Sequence, residues 1–166
     1  MVKNIQELYL AANNFCNFIE SSNDKSKDEI LNYLEKILAL IYIKGTLLPQ
    51  VEDNEEYPAE RYVTESIWED IFNNLKSKFA EDDIFTLANN ETKDLYNQSL
   101  AELITDIYQD IKDFVIVINN PLAIAKANAV NDCRYLFESN WGWKTIYALG
   151  YIHKLLYKSS SITNED

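Results

Sequence analysis

Glycine and proline are scarce, three of each in 166 residues, which leaves little material for tight hairpin turns or a glycine-rich phosphate loop. Cysteine is scarcer still. Cys16 and Cys133 stand far apart, outside any Cys-x-x-Cys spacing, and each interrupts an apolar helical stretch. Both read as buried thiols rather than as a disulfide or a nucleophile. One histidine, His153, removes the His-Glu-x-x-His zinc signature. Positive charge is in short supply: 15 basic side chains face 27 acidic ones, a net charge of −12. That balance opposes binding to nucleic acid or an anionic membrane, where Lys and Arg must neutralise phosphates. No stretch approaches the roughly 18 uncharged apolar residues of a membrane span. The amino terminus turns amphipathic at once instead of opening on a continuous apolar signal. The expected setting is reducing and cytoplasmic.

What the chain does have is apolar material, 47% of its residues, enough for one domain with a substantial core. The apolar residues recur at helical spacing. Ile5, Leu8, Tyr9, Ala12, Phe15, Cys16 and Ile19 form a first stripe. Ser26 with Glu29 has capping-box spacing and starts a second helix, whose apolar belt from Ile30 to Tyr42 is broad enough to suggest a central position. Gly45 and Pro49 offer stopping points. Residues 50–63 are acidic and aperiodic, the longest expected loop. Ser66 with Glu69 repeats the capping-box spacing ahead of a third stripe, Ile67 to Phe79. Residues 80–98 read as a loop or short helical turns. Clean β alternation is absent, and the strand-like VIVIN of residues 115–119 continues the helical phase before it. Pro121 suits the first turn of a fifth helix, and residues 141–158 form a sixth helix or a kinked continuation. Residues 159–166 read as a frayed tail. The expected fold is an all-α, single-domain bundle of five to six mostly antiparallel helices over residues 1–158.

Residues 99–119 carry the sharpest pattern. Leu100, Leu103, Ile104, Ile107, Ile111, Phe114, Val115 and Ile118 make a core stripe, while Glu102, Asp106 and Asp110 stack carboxylates four apart on another face. That row reads as an outward surface. A hard divalent cation wants several converging oxygens, and Glu102 and Asp110 lie about 12 Å apart along the axis, so a cation site would need a facing Asp132 or Glu138. Arg134 and Glu138 have the spacing of a helical ion pair. With Asp132 and Trp141 they form a second candidate group, in which Arg134 can clamp a carboxylate or phosphate against an indole wall. Gly142, between Trp141 and Trp143, marks a close helix approach or a change of direction. His153 remains a candidate single base or a structural side chain.

Three segments, IYIKGTLLP at 41–49, SLAELITDIYQDIKDF at 99–114 and CRYLFESNWGWKTIYALGYIHKLL at 133–156, together resemble the DUF5063 family of bacterial proteins of unknown function, over roughly residues 5–156. The resemblance implies a mainly helical bacterial protein and carries over no activity and no catalytic residues. Asp106, Tyr108, Asp110, Arg134, Glu138, Trp141, Gly142 and His153 fall on family-like positions and so on a shared structural or binding surface.

The leading expectation is a non-catalytic protein that binds another protein or self-associates, with no cofactor and no bound metal. Its ligand-binding candidates are Asp106, Asp110, Asp132, Arg134, Glu138, Trp141 and His153. Two alternatives stay open. One is a divalent-metal-dependent hydrolase of a phosphate-containing small molecule, by analogy with all-helical nucleotide pyrophosphohydrolases, although their paired Glu-x-x-Glu and Glu-x-x-Asp spacing is missing here. The other is a small-ligand binding module built on Arg134 and the tryptophans.

Overall fold

Ser26 opens α2 (Lys27–Thr46) with the expected capping box: its hydroxyl accepts from the Glu29 amide, and the Glu29 carboxylate takes the Ser26 amide at 2.8 Å. A computed structural model describes residues 3–51, 61–89 and 91–157. The expected tail at 159–166, and residues 52–60 of the expected long loop, lie outside the described residues. Before α2 comes α1 (Lys3–Glu20), which buries its whole predicted stripe except the half-buried Tyr9. After it come α3 (Glu65–Phe79), a hairpin of β1 (Ile84–Ala88) and β2 (Leu95–Ser99), α4 (Leu100–Val117), α5 (Ala123–Leu136) and α6 (Gly142–Tyr157). A π-helical turn, Phe137–Trp141, joins α5 to α6 without a break. The result is the expected all-α bundle of five helical rods, largely antiparallel, with one small hairpin added.

The central helix is α4. It packs against α1, α3, α5 and α6, whereas α2 has α1 and α6 as its main neighbours. The belt of α2 is buried against α1 and α6 without marking the middle of the bundle, while Leu40 and Ile43 beside it and Leu47 just past the helix stay exposed. By contrast Leu100, Ile104, Ile107 and Ile111 of α4 are fully buried, each contributing about 1.5–3 kcal/mol by leaving water. Both cysteines are buried as unpaired thiols, and burial pushes their pKa values up.

Three local expectations are corrected. The cap of α3 is Thr64, which accepts from the Ile67 amide, not Ser66. Pro121 lies one residue before the Leu122 cap of α5 and not in its first turn. Residues 84–99 form an antiparallel hairpin pairing Ile84 with Ser99 and Ala88 with Leu95, where a loop or helical turns were expected. The turn needs no glycine: the Asn89 side-chain oxygen accepts from the amides of Glu91 and Thr92, and Lys93 takes the left-handed conformation at φ 64°. Phe85 stacks on Tyr151, centroids 4.0 Å apart, and fastens the hairpin to α6.

Gly142 does mark a close approach. A Cβ there would lie 2.3 Å from the Phe137 carbonyl oxygen. Gly45 acts in the same way from the last turn of α2: its Cβ would meet the Phe137 and Trp141 rings at 2.6 Å. Neither glycine has positive φ, so space and not backbone freedom demands them.

Candidate functional site

The acidic row of α4 winds inward along its length. Glu102 is exposed, Asp106 half-buried and Asp110 only 4% exposed, so the row is not the outward face that spacing alone suggests. The reason is the surrounding helices: α3, α5 and α6 all pack against α4. Asp106 accepts from the Trp68 indole at 2.8 Å and from Lys144 Nζ at 2.7 Å. Asp110 accepts from Arg61 at 3.1 Å and from Asn140 at 2.7 Å.

Asp113, one turn beyond Asp110 on the same face, completes the arrangement. One of its oxygens accepts from the amides of Tyr62 and Val63, and the other from Arg61 Nη1 at 3.1 Å. The two carboxylates thus hold the segment 61–63 against α4. Burial pushes the Asp110 pKa up, against the downward pull of Asn140 and Arg61. For Arg61, burial pulls the pKa down, and the bonds to Asp113 and Asp110 outweigh it, leaving the guanidinium more firmly protonated than usual.

These residues form one end of a cleft of about 450 Å³ between α4 and α5. The two helices run antiparallel from the turn at residues 118–122. Near that turn the walls are Phe114, Val117, Leu122 and Ala125; at the other end stand Asp110, Asp113, Asp132 and Arg61, with Asn128 and Ala129 between. The lining is mixed: Asn120 joins the apolar side chains near the turn, and Tyr62, Cys133, Tyr135 and Leu136 stand among the carboxylates. Two large apolar side chains on its rim stay largely in water, Leu122 at 51% and Tyr135 at 68%.

Of the residues singled out from sequence, Asp110 and Asp132 line this cleft together. Asp106 lies one turn along α4 in its own bonds to Trp68 and Lys144. Arg134 and Glu138 form the ion pair their spacing implies, 3.1 Å apart. They border a shallower groove with Gln50, Val51 and Asn131, which also touches Asp132. Trp141 is fully buried and donates to the Cys133 carbonyl, so it is core and not the wall of an open site. His153 is exposed on α6, 3.9 Å from Glu35 of α2, away from the cleft.

Sequence reasoning missed Arg61, Asp113, Asn140 and Tyr135. Two had a signal: Asp113 stands three residues after Asp110 and must share its face, and Arg61 is the only basic residue between Lys44 and Lys76. Among the described residues no group of three or more His, Cys, Asp or Glu side chains could hold a metal ion. Asp106 is engaged by the Trp68 indole and the Lys144 ammonium, and Asp110 by the Arg61 guanidinium and the Asn140 amide, so both carboxylates already accept from protein donors. Among the described residues no helix is long and apolar enough to cross a membrane.

The model of a domain of unknown function, DUF5063, matches residues 1–158 of this chain. The crystal structure of protein BF1032 from Bacteroides fragilis is similar to it with a TM-score of 0.85 and 32% identity, over 94% of each chain. No curated protein matches.

Proposed function

The chain belongs to the DUF5063 family, and from that premise we propose that it is a non-catalytic binding protein whose α4–α5 cleft receives part of a partner protein. The observation that carries this reading is the cleft itself: about 450 Å³ of continuous groove with Leu122 and Tyr135 standing exposed on its rim. A concavity rimmed by exposed apolar side chains is the kind of surface a partner covers. The chemistry within reach supports binding over catalysis. The cleft's thiol, Cys133, is buried with its pKa pushed up by that burial, which keeps it an unreactive thiol. The carboxylates Asp110 and Asp113 are occupied in holding Arg61 and the segment 61–63.

Photo-crosslinking amino acids placed singly at Leu122, Tyr135 and, as a control, His153 test the proposal inside cells; all three positions are exposed, so the fold tolerates them. The expected result is one discrete heteromeric adduct from Leu122 and Tyr135 and none from His153. The same adducts from all three, or none from the two cleft positions, would remove the basis for the reading.

A further inference from the structure

The outer face of α2 lies apart from the α4–α5 cleft and lines none of it. Leu40 and Ile43, with Leu47 at the cap, stand exposed in one row, three and four residues apart. That is the spacing of a helix-pairing seam, on the side of α2 opposite its buried stripe. Against α2 packs α6, with Gly45 close to the Phe137 and Trp141 rings at one end and Glu35 beside His153 and Tyr157 at the other. This register brings Ile43 level with the first turns of α6, where Trp143 and Ile146 are also exposed. We infer that a second copy of this chain docks on the α2 face, forming a two-fold symmetric dimer.

Charge selects that occupant. The chain carries a net −12, yet α2 has no Asp or Glu from Lys36 to Thr46 and α6 has none at all. Other helices expose theirs: Glu20 on α1, Glu65, Glu69 and Asp70 on α3, and Glu102 on α4. The acids bordering the α2 face are engaged within the chain, Glu7 by Lys44 at 2.7 Å and Glu35 by the Tyr157 hydroxyl at 3.2 Å. An acidic or basic partner finds no counter-charge in the middle of the row, where Leu40 and Ile43 stand. Two copies that repel through their other faces can meet here without carboxylate facing carboxylate. The row is also self-complementary. With the two-fold axis at Ile43 the two α2 helices lie antiparallel, Ile43 meets Ile43 of the second copy, and Leu40 of each meets Leu47 of the other. Lys36 to Leu47 spans about 16 Å and two helices measure about 20 Å across. A face of that size is at the small end of specific interfaces, so the dimer forms in the micromolar range.

Both native cysteines are buried, so a single introduced thiol reports on the axis. Under mild oxidation Ile43→Cys should give a disulfide-linked dimer, and Ile67→Cys, at an exposed position of α3, should not. Sedimentation equilibrium of the intact protein should show one chain becoming two between about 5 and 500 µM. Ile43→Glu sets a carboxylate against its own copy at the axis; it should raise the dissociation constant about tenfold or more, with the helical circular dichroism unchanged. Added salt should strengthen the wild-type dimer, because it screens the repulsion between two chains of net charge −12. A protein that stays one chain throughout, equal crosslinking at positions 43 and 67, or an Ile43→Glu variant as dimeric as wild type overturns the inference. The cleft reading is tested separately by the cellular crosslinks at Leu122 and Tyr135.

Discussion

Arg61 Nη1 lies 3.1 Å from Asp110 Oδ1, joining the end of the 50–63 connection to the middle of α4 across 49 positions of sequence. The same nitrogen reaches Asp113, which is also buried. Arg61→Ala would leave two buried carboxylates without their guanidinium. Arg61 is half-exposed, so water would restore part of what is lost; the expected loss of stability is about 1–3 kcal/mol. Urea unfolding followed by circular dichroism would measure it, and a loss under a few tenths of a kcal/mol would mean that the pair does not hold the segment.

The raised pKa of Asp110 fixes the sign of a pH effect. The ordinary value is 3.8 and the folded value lies above it, so between the two the folded chain binds more protons than the unfolded one. The Asp110 contribution is therefore fully present below the ordinary value and is lost as the pH rises through the folded one. Wild type compared with Asp110→Asn should show that downward slope, with the variant lacking it. A slope of opposite sign would place the folded pKa below 3.8 and contradict the burial argument.

Two glycines in helices should respond in opposite directions to alanine. Gly45→Ala puts a methyl 2.6 Å from the Phe137 and Trp141 rings, and overpacking of that kind costs about 1–3 kcal/mol. At Gly150 a Cβ would meet no atom within 4 Å, so Gly150→Ala should stabilise by about 0.5–1 kcal/mol through helix propensity. Thermal melts of the two variants should move to opposite sides of wild type.

Asp83, 1% exposed, accepts from the Ser99 hydroxyl at 2.9 Å and from the Ala101 amide at 2.8 Å. It caps the first turn of α4 from across the hairpin. Asp83→Ala removes a charge-assisted cap and leaves buried donors unmet, an expected loss of about 2 kcal/mol. Hydrogen exchange at Ala101 and Glu102 should quicken first; uniform quickening throughout α4 would show that Asp83 supports the whole helix and not its end.

The fold was legible where one helix face meets the core. The stripe of α4 and the cap at Ser26 name their elements directly, because burial and capping are local in sequence. The hairpin was not, because Asn89 and Lys93 make a turn without the glycine or proline that announces one. Half of the cleft was equally out of sight. Asp110 and Asp132 are visible as helical acids, but Arg61 comes from an aperiodic connection, and only the folded chain brings it to Asp110. Spacing also misreads direction: the row of acids on α4 looks like one solvated face, and its outcome at each turn depends on which neighbour covers it.

The most direct measurement is an amide and methyl NMR titration of the intact protein with the partner captured by the crosslinks at Leu122 and Tyr135. Binding in the cleft predicts shift changes that saturate together at Val117, Ala125, Ala129, Asp132 and Tyr135 and leave His153 and the hairpin unmoved. Saturating changes centred on the groove between β1 and α6, or on the exposed face of α2, would contradict the account.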